Sequence, residues 1–184
     1  MHDPDTELVA RAGRGDRAAA ATLVARHSAR LYGLARRMLG SEADAEDVVQ
    51  EAFLKLWTHA ARWRPGAAKI ETWLYRVALN ACYDRLRRKR AVPLDEALEL
   101  PDAAPGPDHD LDAPALAAAV AAALAALPER QRAAILLCHY DERGNGEAAE
   151  ILGLSVEATE SLLARGRRNL RARLAGVRGL LGEA

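Results

Sequence analysis

The sequence predicts an all-α protein made of two small helical domains joined by an acidic, proline-rich linker. Three observations carry this. The 184-residue chain is 50% hydrophobic but only 4% aromatic, and it is rich in Ala, Leu and Arg, a composition that favours helix over sheet. Apolar residues recur at intervals of three and four in both parts of the chain, the period of a helix face. Between those parts, residues 91–114 hold five of the eight prolines, seven acids and no Lys or Arg, so this stretch is expected to be extended and poorly ordered. The division is therefore 1–90, a linker over 91–114, and 115–184.

Charge is segregated in the same way. A formal net charge of zero argues, taken alone, against a nucleic-acid partner. Yet residues 1–90 hold 17 Lys and Arg against 11 Asp and Glu, and residues 115–184 hold nine against eight, so the balance is restored only by the acidic linker. Cys82 and Cys138 form no CxxC pair, which suits two packed thiols in a reducing cytoplasm. The stretch MHDPDTELVARAGRGD lacks the apolar core of a signal peptide, and no apolar run approaches the roughly 20 residues that cross a bilayer. The expectation is a cytoplasmic protein without membrane insertion. No phosphate loop, nucleophile–base pair or metal-ligand spacing is present, and the adjacent Cys138 and His139 point different ways on a helix. No enzymatic activity, catalytic residue, metal or cofactor is expected.

In the first part, Asp5–Ala12 reads as a short helix broken by GRGD at 13–16, with Asp16 placed to cap the next one. From Arg17 to Leu39, a helix face is traced by Ala20, Leu23, Val24, His27, Leu31, Leu34, Ala35 and Met38, and Gly40 ends it. His27 within this stripe is expected to be a packed, hydrogen-bonded histidine and not a ligand. Ser41–Ala61 begins with an acidic first turn that suits a helix N-terminus. Val49, Ala52, Phe53, Leu56 and Ala60 form its inner face. Asp47, Gln50, Leu54 and Trp57 lie opposite, either as a surface for a protein partner or with Leu54 and Trp57 packed on a neighbouring segment. Pro and Gly then make Arg62–Lys69 a loop.

Ile70–Arg90 carries two faces. Ile70, Trp73, Leu74, Val77 and Ala81 form an apolar stripe. Arg76, Asn80, Tyr83, Arg87 and Arg90 align along one edge. Guanidinium groups for phosphates, an amide for base edges and a phenol for stacking suit a nucleic-acid surface. A solvated basic helix end, favoured by the macrodipole, would look the same in this segment alone.

In the second part, Ala115–Leu127 is a helix, and Pro128 opens another that runs to about Tyr140. DERGNG interrupts the chain, Glu147–Leu152 forms a short helix, Gly153 turns, and Ser155 caps a last helix over Val156–Leu174. A short helix, a Gly turn and a second helix ending in basic residues make a helix-turn-helix arrangement.

Taken together, DAEDVVQEAFLKLW at 44–57, TWLYRVALNACYDRLRR at 72–88, LPERQRAAILLCHY at 127–140 and EAAEILGLSVEATESLLARGRRNLR at 147–171 resemble the extracytoplasmic-function sigma factors of bacterial RNA polymerase. The resemblance covers nearly the whole chain in order. It implies a sigma domain 2 over 1–90, a flexible linker, and a helix-turn-helix sigma domain 4 over 115–184. It implies core polymerase binding by Asp47, Gln50, Glu51, Leu54 and Trp57. It implies −10 recognition and melting by Lys69, Arg76, Asn80, Tyr83, Arg87 and Arg88, with base contact from Asn80. It implies reading of the −35 duplex by Ser155, Glu157, Thr159, Glu160, Ser161, Arg165, Arg167 and Arg168. Trp73 matches a family aromatic, but its spacing assigns it to packing. The implied partners are core RNA polymerase, promoter DNA (duplex at −35, single-stranded at −10) and an anti-sigma factor. Three departures stand out: Arg143-Gly144 where members often carry Leu-Ser, Glu160 and Leu162 where many carry basic residues, and Thr159 in place of an apolar residue. Two other readings are a sigma-like decoy that only sequesters an anti-sigma protein, and a helix-turn-helix repressor with an N-terminal dimerisation domain. The retained edge at 76–87 counts against the first, and the match over 44–88 against the second.

Overall fold

The computed structural model describes residues 3–63, 69–91 and 113–178, and these are built from helices and their connections. Five helix boundaries follow from local chemistry. The chain enters through α1 (Thr6–Ala12) and turns through Gly15 at φ +90°. The Asp16 carboxylate then accepts the Ala18 and Ala19 backbone N–H groups at 2.9 and 3.1 Å and starts α2 (Arg17–Leu39). Gly40 at φ +72° stops α2 in a left-handed conformation, and Ser41 Oγ accepts the Asp44 N–H at 3.2 Å to open α3 (Glu42–Ala60). The Asp3 carboxylate accepts the Ile70 N–H at 2.6 Å where α4 (Ile70–Ala91) begins. Asp5 accepts from Arg26 at 2.5 Å and pairs with His27 at 2.7 Å, so His27 is the packed, hydrogen-bonded residue expected.

Helices α2 and α3 form an antiparallel hairpin, α1 lies across it, and α4 closes the bundle. Leu23, Leu31, Leu34, Met38, Val48, Phe53, Leu56, Ile70, Leu74 and Leu79 fill its interior. The inward positions are shifted slightly from those the periodicity indicates. Ala19 and Val48 are buried in place of Ala20 and Val49, and Val24 is 38% exposed.

The second half comprises α5 (Ala113–Ala125), α6 (Glu129–Ile135), α7 (Asn145–Leu152) and α8 (Val156–Arg178). Helix α6 runs on into a π-helical turn over Leu136–Tyr140, in which the Asp141 N–H donates to the Leu136 carbonyl at 3.0 Å. Gly153 at φ +66° makes the helix-turn-helix corner. Gly166 lets α8 cross α6 closely, since a Cβ there would lie 3.0 Å from the terminal methyl of Ile135 and 3.3 Å from the Gln131 carbonyl.

The expected linker lies outside the described residues over 92–112. Its ends do not: Ala91 completes α4, and residues 113 and 114 begin α5. Helix α7 starts two residues earlier than expected, and α8 runs four residues further. The two halves do not stand apart. Helix α7 packs on α4, α5 and α6 pack on α2, and one continuous apolar cluster runs through both. Arg132, 7% exposed, crosses the junction: its guanidinium donates to the Met38 carbonyl of α2 and to the Ala125 and Leu127 carbonyls of its own half. It satisfies a carbonyl that the end of α2 leaves without a helical partner. Among the described residues, no helix is long and apolar enough to cross a membrane.

Candidate nucleic-acid interface

Helix α4 is held on the first bundle by charged pairs from its inner flank. Lys89 bonds Asp44 at 2.7 Å, and Arg85 bonds Glu51 at 3.1 Å. The hydrogen bond from Lys89 keeps the Asp44 carboxyl below its ordinary range, and the bond from Lys55 does the same for Glu51. These pairs leave the outer edge of α4 to Arg76, Asn80, Arg87 and Arg88, all exposed. Arg87 leans on Asp84 at 2.8 Å, one turn away. Tyr83 is placed differently from what stacking would need. It is half-buried, its hydroxyl is enclosed beside Glu129 and Arg130 of the second half, and burial pushes its pKa to about 12. Lys69, just before α4, bonds Glu147 of α7 at 3.2 Å. Trp73 is half-buried in an aromatic cluster with Trp63 (edge-on, 5.8 Å) and His59 (5.6 Å), which is the packing role its spacing indicated.

On α3 the outward face carries Asp47, Gln50 and Leu54, and Leu54 is 64% exposed. Trp57 is half-buried and stacks on Phe53 at 5.8 Å, so only part of its ring belongs to this face. Glu51 is turned sideways into its bonds with Lys55 and Arg85.

Helix α8 begins at Ser155, whose Oγ accepts the Ala158 N–H at 3.2 Å. Glu157, Glu160, Ser161, Arg165 and Arg168 are exposed at i, i+3, i+4, i+8 and i+11, along one face of the helix. The backbone N–H of Glu157 holds its own carboxyl below the ordinary range. Thr159 is a correction. It is 0% exposed and its hydroxyl donates to the Ser155 carbonyl at 3.0 Å, so it packs between α8 and α7 and offers nothing to a base. The hydroxyl satisfies itself within the turn, which is how a polar residue replaces an apolar one here. Arg167 points off the face and donates to His139 Nε2 at 2.9 Å.

Some contacts were not anticipated. Asn145, in the first turn of α7, donates to Glu160 at 3.0 Å. Arg143 reaches out of the second half to Glu71 and Tyr75 of α4, and Arg132 reaches α2. The one signal in sequence was that Arg143 stands where a small capping motif was expected. Helix α7 indeed has no side-chain cap at Gly144.

Similarity to known proteins respects the same division. The Sigma-70 region 2 profile matches residues 23–92, and the Sigma-70, region 4 profile matches residues 117–170. The ECF RNA polymerase sigma factor SigM of Mycobacterium tuberculosis is 38% identical over 172 residues, covering 94% of this chain and 85% of that protein. SigE of Mycolicibacterium smegmatis is 34% identical over 168 residues, covering 88% of this chain, which spans 65% of the SigE length. A solved structure of CnrH in complex with the cytosolic domain of CnrY superposes with a TM-score of 0.71 at 32% identity, covering 94% of this chain and 97% of CnrH. With both halves matched in order and a relative aligned over most of its length, the chain belongs to the extracytoplasmic-function RNA polymerase sigma factors.

Proposed function

We propose that this protein binds core RNA polymerase in the cytoplasm, directs it to promoters and opens the DNA at the −10 element, without itself catalysing a reaction. The observation that carries the reading is the pairing of two surfaces on adjacent helices of one bundle. The exposed Asp47, Gln50 and Leu54 of α3 offer a mixed acidic and apolar face to a protein, and the exposed Arg76, Asn80, Arg87 and Arg88 of α4 offer cations and an amide to a strand. Opening a duplex in this way needs differential binding and no bond chemistry. Extruding a base costs a few kcal/mol in unstacking, and backbone contacts with a pocket for the extruded base offset it. The exposed face of α8 reads the −35 duplex, with Arg165 and Arg168 on phosphates and Glu160 able to accept from a cytosine N4 amine. We assign 1–90 to the first function and 115–184 to the second. The CnrH structure is of a sigma factor held by a partner's cytosolic domain, which supports control of this chain by an anti-sigma factor.

The test is transcription in vitro with core polymerase on a promoter recovered by sequencing transcripts after overexpression. Asn80→Ala and Arg76→Ala should lower open-complex formation, read by permanganate reactivity of −10 thymines, while leaving core binding intact. A chain that binds an anti-sigma protein but never core polymerase would be a decoy, and this reading would fall.

A further inference from the structure

Asp3 lies 67 residues before Ile70 in the sequence, yet it holds the backbone at which α4 begins. One carboxylate oxygen, Oδ2, accepts the Ile70 N–H at 2.6 Å, and the other, Oδ1, accepts the Asp5 N–H at 3.0 Å. Asp5 is 6% exposed and is itself bonded to Arg26 and His27 of α2. Asp3, Pro4 and Asp5 thus form a clasp, with one carboxylate seated on α2 and the other on the start of α4. Pro4 has a fixed φ between them, which limits how far the two carboxylates can shift relative to each other.

The clasp acts on the end of α4 nearest Lys69 and Arg76. The first N–H groups of a helix have no partner within it, and a side-chain oxygen that takes one of them keeps the first turn from fraying. Lys69 stands at that boundary. Its carbonyl accepts the Trp73 N–H at 3.1 Å, so the same turn sets the direction in which its side chain leaves the backbone. Arg76 follows within two turns, on the exposed edge. A frayed first turn would have to be ordered as the strand binds, and that ordering would be subtracted from the affinity.

We propose that Asp3 is a positioning residue for strand opening: its carboxylate, anchored through Asp5 to α2, caps α4 and fixes Lys69 and the first turns of the helix in the geometry the single strand requires. The inference rests on the functional reading above. Asp3 acts through the Ile70 N–H and touches no DNA, since a carboxylate repels phosphate.

The experiment compares the full chain as wild type, Asp3→Ala, Asp3→Asn and Gly13→Ala, each bound to core polymerase on the promoter recovered from overexpression transcripts. Permanganate reactivity of −10 thymines over time reads opening, gel shift reads core binding, and urea midpoints read stability. Asp3→Ala should slow opening about 5-fold, the scale of a lost cap, at unchanged affinity for core polymerase. Asp3→Asn should restore the wild-type rate, because an amide oxygen accepts the same N–H. Gly13→Ala controls for stability alone. Its methyl would crowd the Ala60 backbone at 3.0 Å, so it should lower the urea midpoint at least as far without slowing opening. Opening by Asp3→Ala at the wild-type rate, a defect that Asp3→Asn fails to correct, or an equal defect in Gly13→Ala would each overturn the proposal. Amide exchange of the free protein, followed by mass spectrometry over residues 69–75, reads the cap without polymerase. It should quicken in Asp3→Ala and not in Asp3→Asn, and unchanged exchange in Asp3→Ala would also overturn the proposal. A wild-type chain that never opens the promoter, with exchange still responding to Asp3→Ala, would overturn the functional reading and leave the cap standing.

Discussion

A methyl group added at Gly13 would lie 3.0 Å from the Ala60 carbonyl carbon and 3.1 Å from the Ala61 nitrogen, where α1 meets the end of α3. The φ of Gly13 is −62°, which any residue adopts, so the requirement for glycine is steric alone. Because the opposing atoms are backbone, they yield only by moving a helix end. Gly13→Ala should therefore cost about 1–3 kcal/mol, read as a lower urea midpoint with an unchanged slope. Leu54 makes the opposite case. At 64% exposure it contributes little to packing, so Leu54→Glu should leave stability within about 0.5 kcal/mol. The same change should weaken binding to core polymerase by about tenfold or more, measured by native gel shift or interferometry. If the affinity for core polymerase is unaltered, the outward face of α3 is not the polymerase surface.

At the level of elements, the helix ends were readable because each is fixed by one local residue. Asp16, Gly40, Gly153 and Ser155 all act where their residue types indicated, while Ser41, read as the first residue of its helix, instead caps it. Burial was less readable. Tyr75, Ala78 and Leu79 of α4 are buried in addition to the expected stripe, and Tyr75 is covered by the Arg143 guanidinium from the second half. Long-range contact of that kind leaves no period in a helix. The site was legible in the same measure: Arg76, Asn80, Arg87 and Arg88 stand exposed on one edge, but Tyr83 and Thr159 were displaced from the surface by tertiary packing. The junction of α4 with α7 also has a definite response to pH. The hydrogen bond from Arg143, with help from Arg30, holds the Glu71 carboxyl below its ordinary 4.5. Its stabilising contribution is complete above that value and is lost as pH falls through the lowered one. Asp141 behaves inversely: burial raises its pKa above 3.8, so it opposes folding at neutral pH and stops doing so as it takes up a proton. On acidification, stability should first hold or rise slightly as Asp141 protonates, then fall below pH 4.5 as Glu71 does. Urea midpoints measured across this range check the order, and Glu71→Gln should shrink the second phase, leaving the part that Asp44 and Glu51 contribute.

For the whole molecule, a net charge of zero hides the exposed cations gathered on α4 and α8. Promoter affinity should fall linearly with the logarithm of salt concentration. Replacing Arg87 and Arg88 by Ala should reduce that slope by about two if both rest on phosphates. An unchanged slope would remove them from the backbone contacts. How the two halves meet depends on more than their side chains. The π-helical turn at Leu136–Tyr140 holds one residue more than a regular helix would over the same rise, and it sets the direction in which the chain leaves the helix. Tyr140 meets Arg37 of α2 at 4.6 Å, and Asp141 and Arg143 approach Tyr75. Each α-helical residue advances the chain by about 100°. Deleting one residue from 136–140 would let the helix become regular while rotating this whole set away from the first bundle. The fit between the halves is thus stored partly as a residue count: the register is lost by shortening the chain even when every mating side chain is kept.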